Sequence, residues 1–143
     1  MGITIKCKKN GESIDVSYFG FNRLRNKIAE LVSDEVAAHY KQLDDFTKIP
    51  YEDRKKFFAD YDEETERMIQ EKKLPIKVAD FLYQSDCEGK IRYGACKELL
   101  KIIGEYDDDI RYGYTGRKDC AMFKDFKRIL EDCVTNKCYM EWL

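Results

Sequence analysis

The chain holds two prolines, one histidine and one tryptophan among 143 residues, and each scarcity narrows the reading. Pro50 suits the first turn of a helix, and Pro75 breaks the chain ahead of a short helix. The lone imidazole, His39, lies on or beside an apolar helical stripe and reads as a packed or edge residue rather than a ligand or base. No Cys-x-x-Cys pair occurs among the six cysteines (Cys7, Cys87, Cys96, Cys120, Cys133, Cys138), so their linear spacing argues against a structural zinc knuckle. No cofactor motif is present, and none is expected.

An apolar run of ~18 residues, the length that crosses a bilayer, is also missing, and residues 1–9 lack the apolar core of a secretory signal. The expectation is a cytoplasmic chain with free thiols and no membrane partner. Neither sign of charge dominates: 26 Lys plus Arg stand against 28 Asp plus Glu, a formal net of -2, so no global field draws in nucleic acid. Lys6, Lys8 and Lys9 lie near aromatics, yet no RNA-binding motif accompanies them and nucleic acid is not the expected partner.

What is abundant is packing material. Apolar residues make up 43%, with 10 Tyr and 8 Phe, enough for one folded domain over residues 1–143. Ile3 and Ile5, then Ile14, Val16 and Tyr18, alternate with polar residues around Asn10-Gly11, a hairpin signature. Asn22 is placed to cap a helix with the stripe Leu24, Ile28, Leu31, Val32, Val36, Tyr40 and Leu43. Residues 44–73 are densely and alternately charged and predict a long surface helix whose stripe is Phe57, Phe58, Tyr61, Thr65, Met68 and Ile69.

Val78, Phe81 and Leu82 mark a short helix, and Cys96, Leu99, Leu100 and Ile103 mark another that Gly104 and Asp107-Asp108-Asp109 end. Residues 110–116 read as an aromatic loop. Residues 117–135 carry an apolar face through Met122, Phe126, Ile129, Leu130 and Cys133. Cys138, Met140 and Trp142 then alternate as a closing strand beside the hairpin. The expected fold is α+β: a three-stranded antiparallel sheet, hairpin plus C-terminal strand, covered by four to five helices.

Between two apolar segments lies Ser85-Asp86-Cys87-Glu88-Gly89, a compact polar loop. Its centre matches a calcium-binding loop, but the first and twelfth ligand positions fall on Gln84 and Ala95, so that chemistry is not expected. Ser85 or Asp86 would instead bond backbone amides, with Gly89 at positive φ. Cys87 as a nucleophile needs a base or positive field, and its immediate neighbours are acids. Asp86 and Glu88 project to one side if the loop is extended, which is the arrangement of a carboxylate pair.

The second polar block is Ser17-Tyr18-Phe19-Gly20-Phe21-Asn22-Arg23-Leu24-Arg25 at a strand-to-helix turn, where free amides and the helix dipole favour an anion. Arg23 and Arg25 would receive a carboxylate or phosphate there. Alternatively one of them forks onto Asp86 or Glu88 and pins the loop.

These two blocks, with Met1-Gly2-Ile3-Thr4-Ile5 and Met140-Glu141-Trp142, resemble a family of small bacterial and phage proteins of uncharacterised activity. Its members show Met-Gly-Leu-Asp-Ile, Ser-Tyr-x-Gly-Tyr-Asn-x-Trp-Arg and Phe-Ser-Asp-Cys-Glu/Asp-Gly-x-Ile. Thr4 stands where that pattern has an acid and Leu24 where it has Trp. The resemblance does not extend to residues 44–73, which it implies are an insertion; it implies too that the two polar blocks meet in one site, and a phage setting would make interference with a host system natural.

The leading reading is a binding protein for a small anionic ligand or a protein partner, using Tyr18, Asn22, Arg23, Arg25, Ser85, Asp86 and Glu88, with Tyr18 or Trp142 as a stacking face. The alternatives are a hydrolase, using Asp86 and Glu88 with a metal or Cys87 as nucleophile, and a structural protein without a site.

Overall fold

The structure, a computed structural model, describes residues 2–9, 12–104, 106 and 123–143. In chain order it contains β1 (Gly2–Cys7), β2 (Ser13–Ser17), α1 (Tyr18–Val32), α2 (Asp34–Lys41), two 3-10 segments (Gln42–Lys48 and Tyr51–Asp53) and α3 (Arg54–Gln70). There follow α4 (Ile76–Tyr83), β3 (Gly89–Ile91), α5 (Tyr93–Ile103), α6 (Phe123–Asn136) and β4 (Met140–Trp142). The α+β class is as expected. Asn10-Gly11, Asp107-Asp108-Asp109, Cys120, Met122 and the 110–116 stretch lie outside the described residues.

The sheet has four strands rather than three, in the order β2-β1-β4-β3, every pair antiparallel. The C-terminal strand does lie beside the hairpin, with Ile5 opposite Trp142. The additional strand, β3, is three residues long with one buried side chain, Ile91, too short to print an alternation in the sequence. Along β1 the inward Ile3, Ile5 and Cys7 are buried, while on the outer face Lys6 is opposite Glu141 and pairs with it at 3.6 Å.

Six α-helices are present among the described residues, against the four to five expected. The stripe read as one helix from Asn22 to Leu43 is two. Ser33 is extended (φ −173°, ψ 164°), ends α1, and caps α2 by accepting from the Val36 amide at 3.1 Å. Asn22 is not the cap of α1: Ser17 is, taking the Gly20 amide at 2.9 Å, and Asn22 lies inside the helix. The long helix expected over 44–73 begins only at Arg54, because Ile49 is extended ahead of Pro50 and the chain first makes 3-10 turns. Gly104 ends α5 as expected, at φ 47°.

The core is centred on Trp142, Phe21, Phe81 and Phe126, all fully buried. Phe21 and Phe81 meet edge to face at 5.8 Å, Trp142 lies 5.6 Å from each, and Phe126 is 5.7 Å from Phe81. This cluster is the floor under the two polar blocks.

Candidate functional site

Strand β2 runs straight into α1 at Ser17, so the first turn of α1 is fixed to the sheet and its side chains are aimed by the core. Arg25 points inward and is only 4% exposed. Its guanidinium carbon lies 4.3 Å from the Phe21 ring centre, 5.4 Å from Phe81 and 5.5 Å from Trp142. Nη2 donates to the Ser85 carbonyl at 3.4 Å, and Trp142 Nε1 donates to the same oxygen at 2.9 Å.

One loop carbonyl therefore receives a helix and a strand. Burial lowers the Arg25 pKa, while the Tyr40 hydroxyl and then Asp86 oppose that shift. Burial likewise pushes the Tyr40 phenol up to about 12, and its hydroxyl donates to the Leu82 carbonyl at 3.2 Å. The Arg25 Nε is buried without a hydrogen-bond partner among the described residues. Neither Asp86 nor Glu88 forms an ion pair with Arg25, so the fork onto a loop carboxylate is replaced by a bond to the loop backbone.

The loop is closed at its base by Gln84, whose side-chain amide imitates a strand neighbour. Its Oε1 accepts from the Lys90 amide at 3.0 Å and its Nε2 donates to the Lys90 carbonyl at 2.7 Å. Gly89 serves here as a gap rather than as a positive-φ turn. A Cβ at Gly89 would lie 2.2 Å from Cζ2 of Trp142, so only glycine lets the indole reach the Ser85 carbonyl.

Ser85 Oγ accepts from the Cys87 amide at 3.1 Å, tightening the turn. Asp86, Cys87 and Glu88 are left exposed at its tip. Tyr18 reaches this tip from the start of α1: contact with Cys87, then desolvation and the Asp86 charge, raise its phenol pKa and keep it protonated.

Arg23 and Asn22 face elsewhere. Two residues along a helix is 200° of rotation, which places Arg23 on the side of α1 away from Arg25. There Arg23 is exposed and stacks 4.5 Å over Phe19, itself 51% exposed. Asn22 Nδ2 donates to Asp44 at 3.3 Å. Together with Lys27, Lys41 and Tyr106 they border an open cleft of about 860 Å³ between α1 and α2. The residues brought together are thus Tyr18 and Arg25 with Ser85, Asp86 and Cys87; Glu88 is exposed at the tip, and Asn22 and Arg23 belong to a separate surface. Trp142, fully buried, offers no stacking face to solvent.

His39 is buried away from the loop, stacked 3.9 Å from the Tyr61 ring, with Nε2 2.7 Å from Thr65 Oγ1. Thr65 spends its own proton on the Tyr61 carbonyl at 2.9 Å, so Nε2 carries the hydrogen and donates. Burial lowers its pKa, which favours the neutral ring of a packed residue.

One cluster escaped the linear reading. The sulfurs of Cys7, Cys133 and Cys138, all buried, lie within 4.8 Å of one another. Each occupies an inward position on or beside an element that the sequence places against the others, and combining those positions was the signal that would have found it. No protein-family model, curated protein or solved structure matches the chain.

Proposed function

We propose that this is a non-enzymatic binding protein that recognises a basic surface of a protein partner through the tip at residues 86–88 and the neighbouring Tyr18. The observation that carries the reading is the anchoring of one carbonyl, that of Ser85, by both Arg25 and Trp142, while the next three side chains are exposed. A loop ordered in advance loses little conformational freedom on association, so its contacts are retained as affinity. With Arg25 withdrawn beneath it, the exposed charge at the tip comes from Asp86 and Glu88, and the complementary partner is cationic.

The hydrolase alternatives draw less support. His39 is engaged with Tyr61 and Thr65 rather than with Cys87, and Asp86 and Glu88 belong to no group of three metal-ligating side chains among the described residues. A small anion remains the second reading. Its supporting observation is the α1–α2 cleft, where Arg23 and Lys41 have no ion-pair partner among the described residues.

The test uses a Cys120→Ser background carrying a photo-crosslinker on Cys87, the exposed thiol among the described residues. Crosslinking is performed in a lysate of the native host. A discrete adduct whose yield falls about tenfold or more with Asp86→Lys plus Glu88→Lys, at unchanged melting temperature, supports the reading. An adduct indifferent to the reversal, or none, contradicts it.

A further inference from the structure

Both ends of the chain deliver thiols to one point of the core. Cys7 closes β1, Cys133 lies on the inner face of α6, and Cys138 sits between α6 and β4, with exposures of 1%, 0% and 8%. The placement of Cys138 follows from the way α6 ends. Lys137 adopts φ 50°, its amide bonds the Val134 carbonyl at 3.3 Å, and the Cys138 amide bonds the Cys133 carbonyl at 3.1 Å. With Asn136 as the cap, that is a Schellman ending, which brings the third residue before the cap against the second residue beyond it. Here those two residues are Cys133 and Cys138.

The sheet register supplies the third thiol. Cys7 is paired with Met140, so Cys138, two residues away on the same face, lies diagonally across from it, and the two sulfurs are 2.6 Å apart. Cys96, fully buried on α5, is against Cys133.

We propose that Cys7, Cys133 and Cys138 bind a thiophilic d10 metal ion as a three-sulfur set, zinc being the reference case. An all-sulfur set without carboxylate or imidazole selects soft or borderline ions and rejects magnesium and calcium. The Cys96 thiol and burial push the Cys133 thiol up, and burial and the Cys7 thiol push Cys138 up while the Lys9 amide beside it pulls the other way, so these two sulfurs carry their protons before metal arrives. Binding exchanges protons for metal. Each S–H bond breaks, its proton passes to water, and its sulfur lone pair forms the bond to the ion, with no change of oxidation state.

The ligands are far apart in sequence because the site is assembled by the fold. Its metal would tie the N-terminal strand, α6 and the turn before β4 together.

The experiment takes the full chain, reduced and folded, and titrates it with zinc or cobalt in the presence of a competing chelator. Metal content is read by native mass spectrometry, and cobalt by its thiolate charge-transfer and tetrahedral bands. The expected result is about one ion per chain in the wild type and in Cys87→Ser, and loss of binding in Cys133→Ala. Alkylation of the wild type gives a readout that does not depend on the variant folding: zinc should protect the buried thiols and leave Cys87 reactive. A reduced, folded wild type that takes up neither metal overturns the proposal. So does a native chain lighter by two hydrogens in which a persistent Cys7–Cys138 disulfide is mapped.

Discussion

Arg23 and Arg25 stand two residues apart on α1 and occupy opposite environments. Arg25 is sealed over Phe21, Phe81 and Trp142 and holds the Ser85 carbonyl, whereas Arg23 lies on an exposed Phe19 at the rim of an open cleft. Residue type does not separate them. Helical rotation does, because positions i and i+2 never share a face, so a motif containing both cannot aim both at one ligand. One arginine sets the shape of the loop, and the other meets solvent.

The largest effect is expected from Arg25→Ala. It removes a buried side chain packed on three aromatic rings and one of the two donors to the Ser85 carbonyl, at a cost of about 2–4 kcal/mol by urea denaturation. Gly89→Ala tests the same seam from the other side. A methyl group 2.2 Å from the indole of a fully buried tryptophan must displace it, costing about 1–3 kcal/mol and weakening the Trp142 bond to Ser85, visible as altered tryptophan fluorescence. Arg23→Ala should change stability by less than about 0.5 kcal/mol. If the cleft takes anions, the same variant abolishes the thermal shift that inorganic phosphate gives the wild type. A stability loss from Arg23→Ala as large as that from Arg25→Ala would break the comparison.

Much of this architecture is legible in the residues. The alternation of Ile3, Ile5, Ile14 and Val16, the inward Met140 and Trp142, and the α4 stripe bury the side chains their periods predict, as do Cys96, Leu99 and Ile103 of α5 and Phe126, Ile129, Leu130 and Cys133 of α6, while Leu100 is half-buried. The break at Ser33 is local information that an uninterrupted stripe conceals: Ser33-Asp34-Glu35-Val36 is a capping sequence inside an apolar rhythm. Strand β3 depends on a tertiary neighbour, since its pairing partner β4 lies about fifty residues later in the chain.

The candidate site divides in the same way. That Tyr18 meets the 85–88 loop follows the two polar blocks. That Arg25 is buried does not, because a guanidinium reads as surface until its aromatic bed is assembled from α1, α4 and β4. The thiol cluster was hidden for a related reason: it is made by register and by a helix ending, neither of which spaces cysteines regularly.

The most direct test of the account is a double-mutant cycle between Arg25→Met and Trp142→Phe, which remove the two donors to the Ser85 carbonyl while keeping most of the buried volume. A coupling of about 0.5–3 kcal/mol is predicted, against additivity within about 0.5 kcal/mol for Arg23→Met with Trp142→Phe. Additivity in both cycles would contradict the claim that Arg25 and Trp142 jointly hold the loop in place.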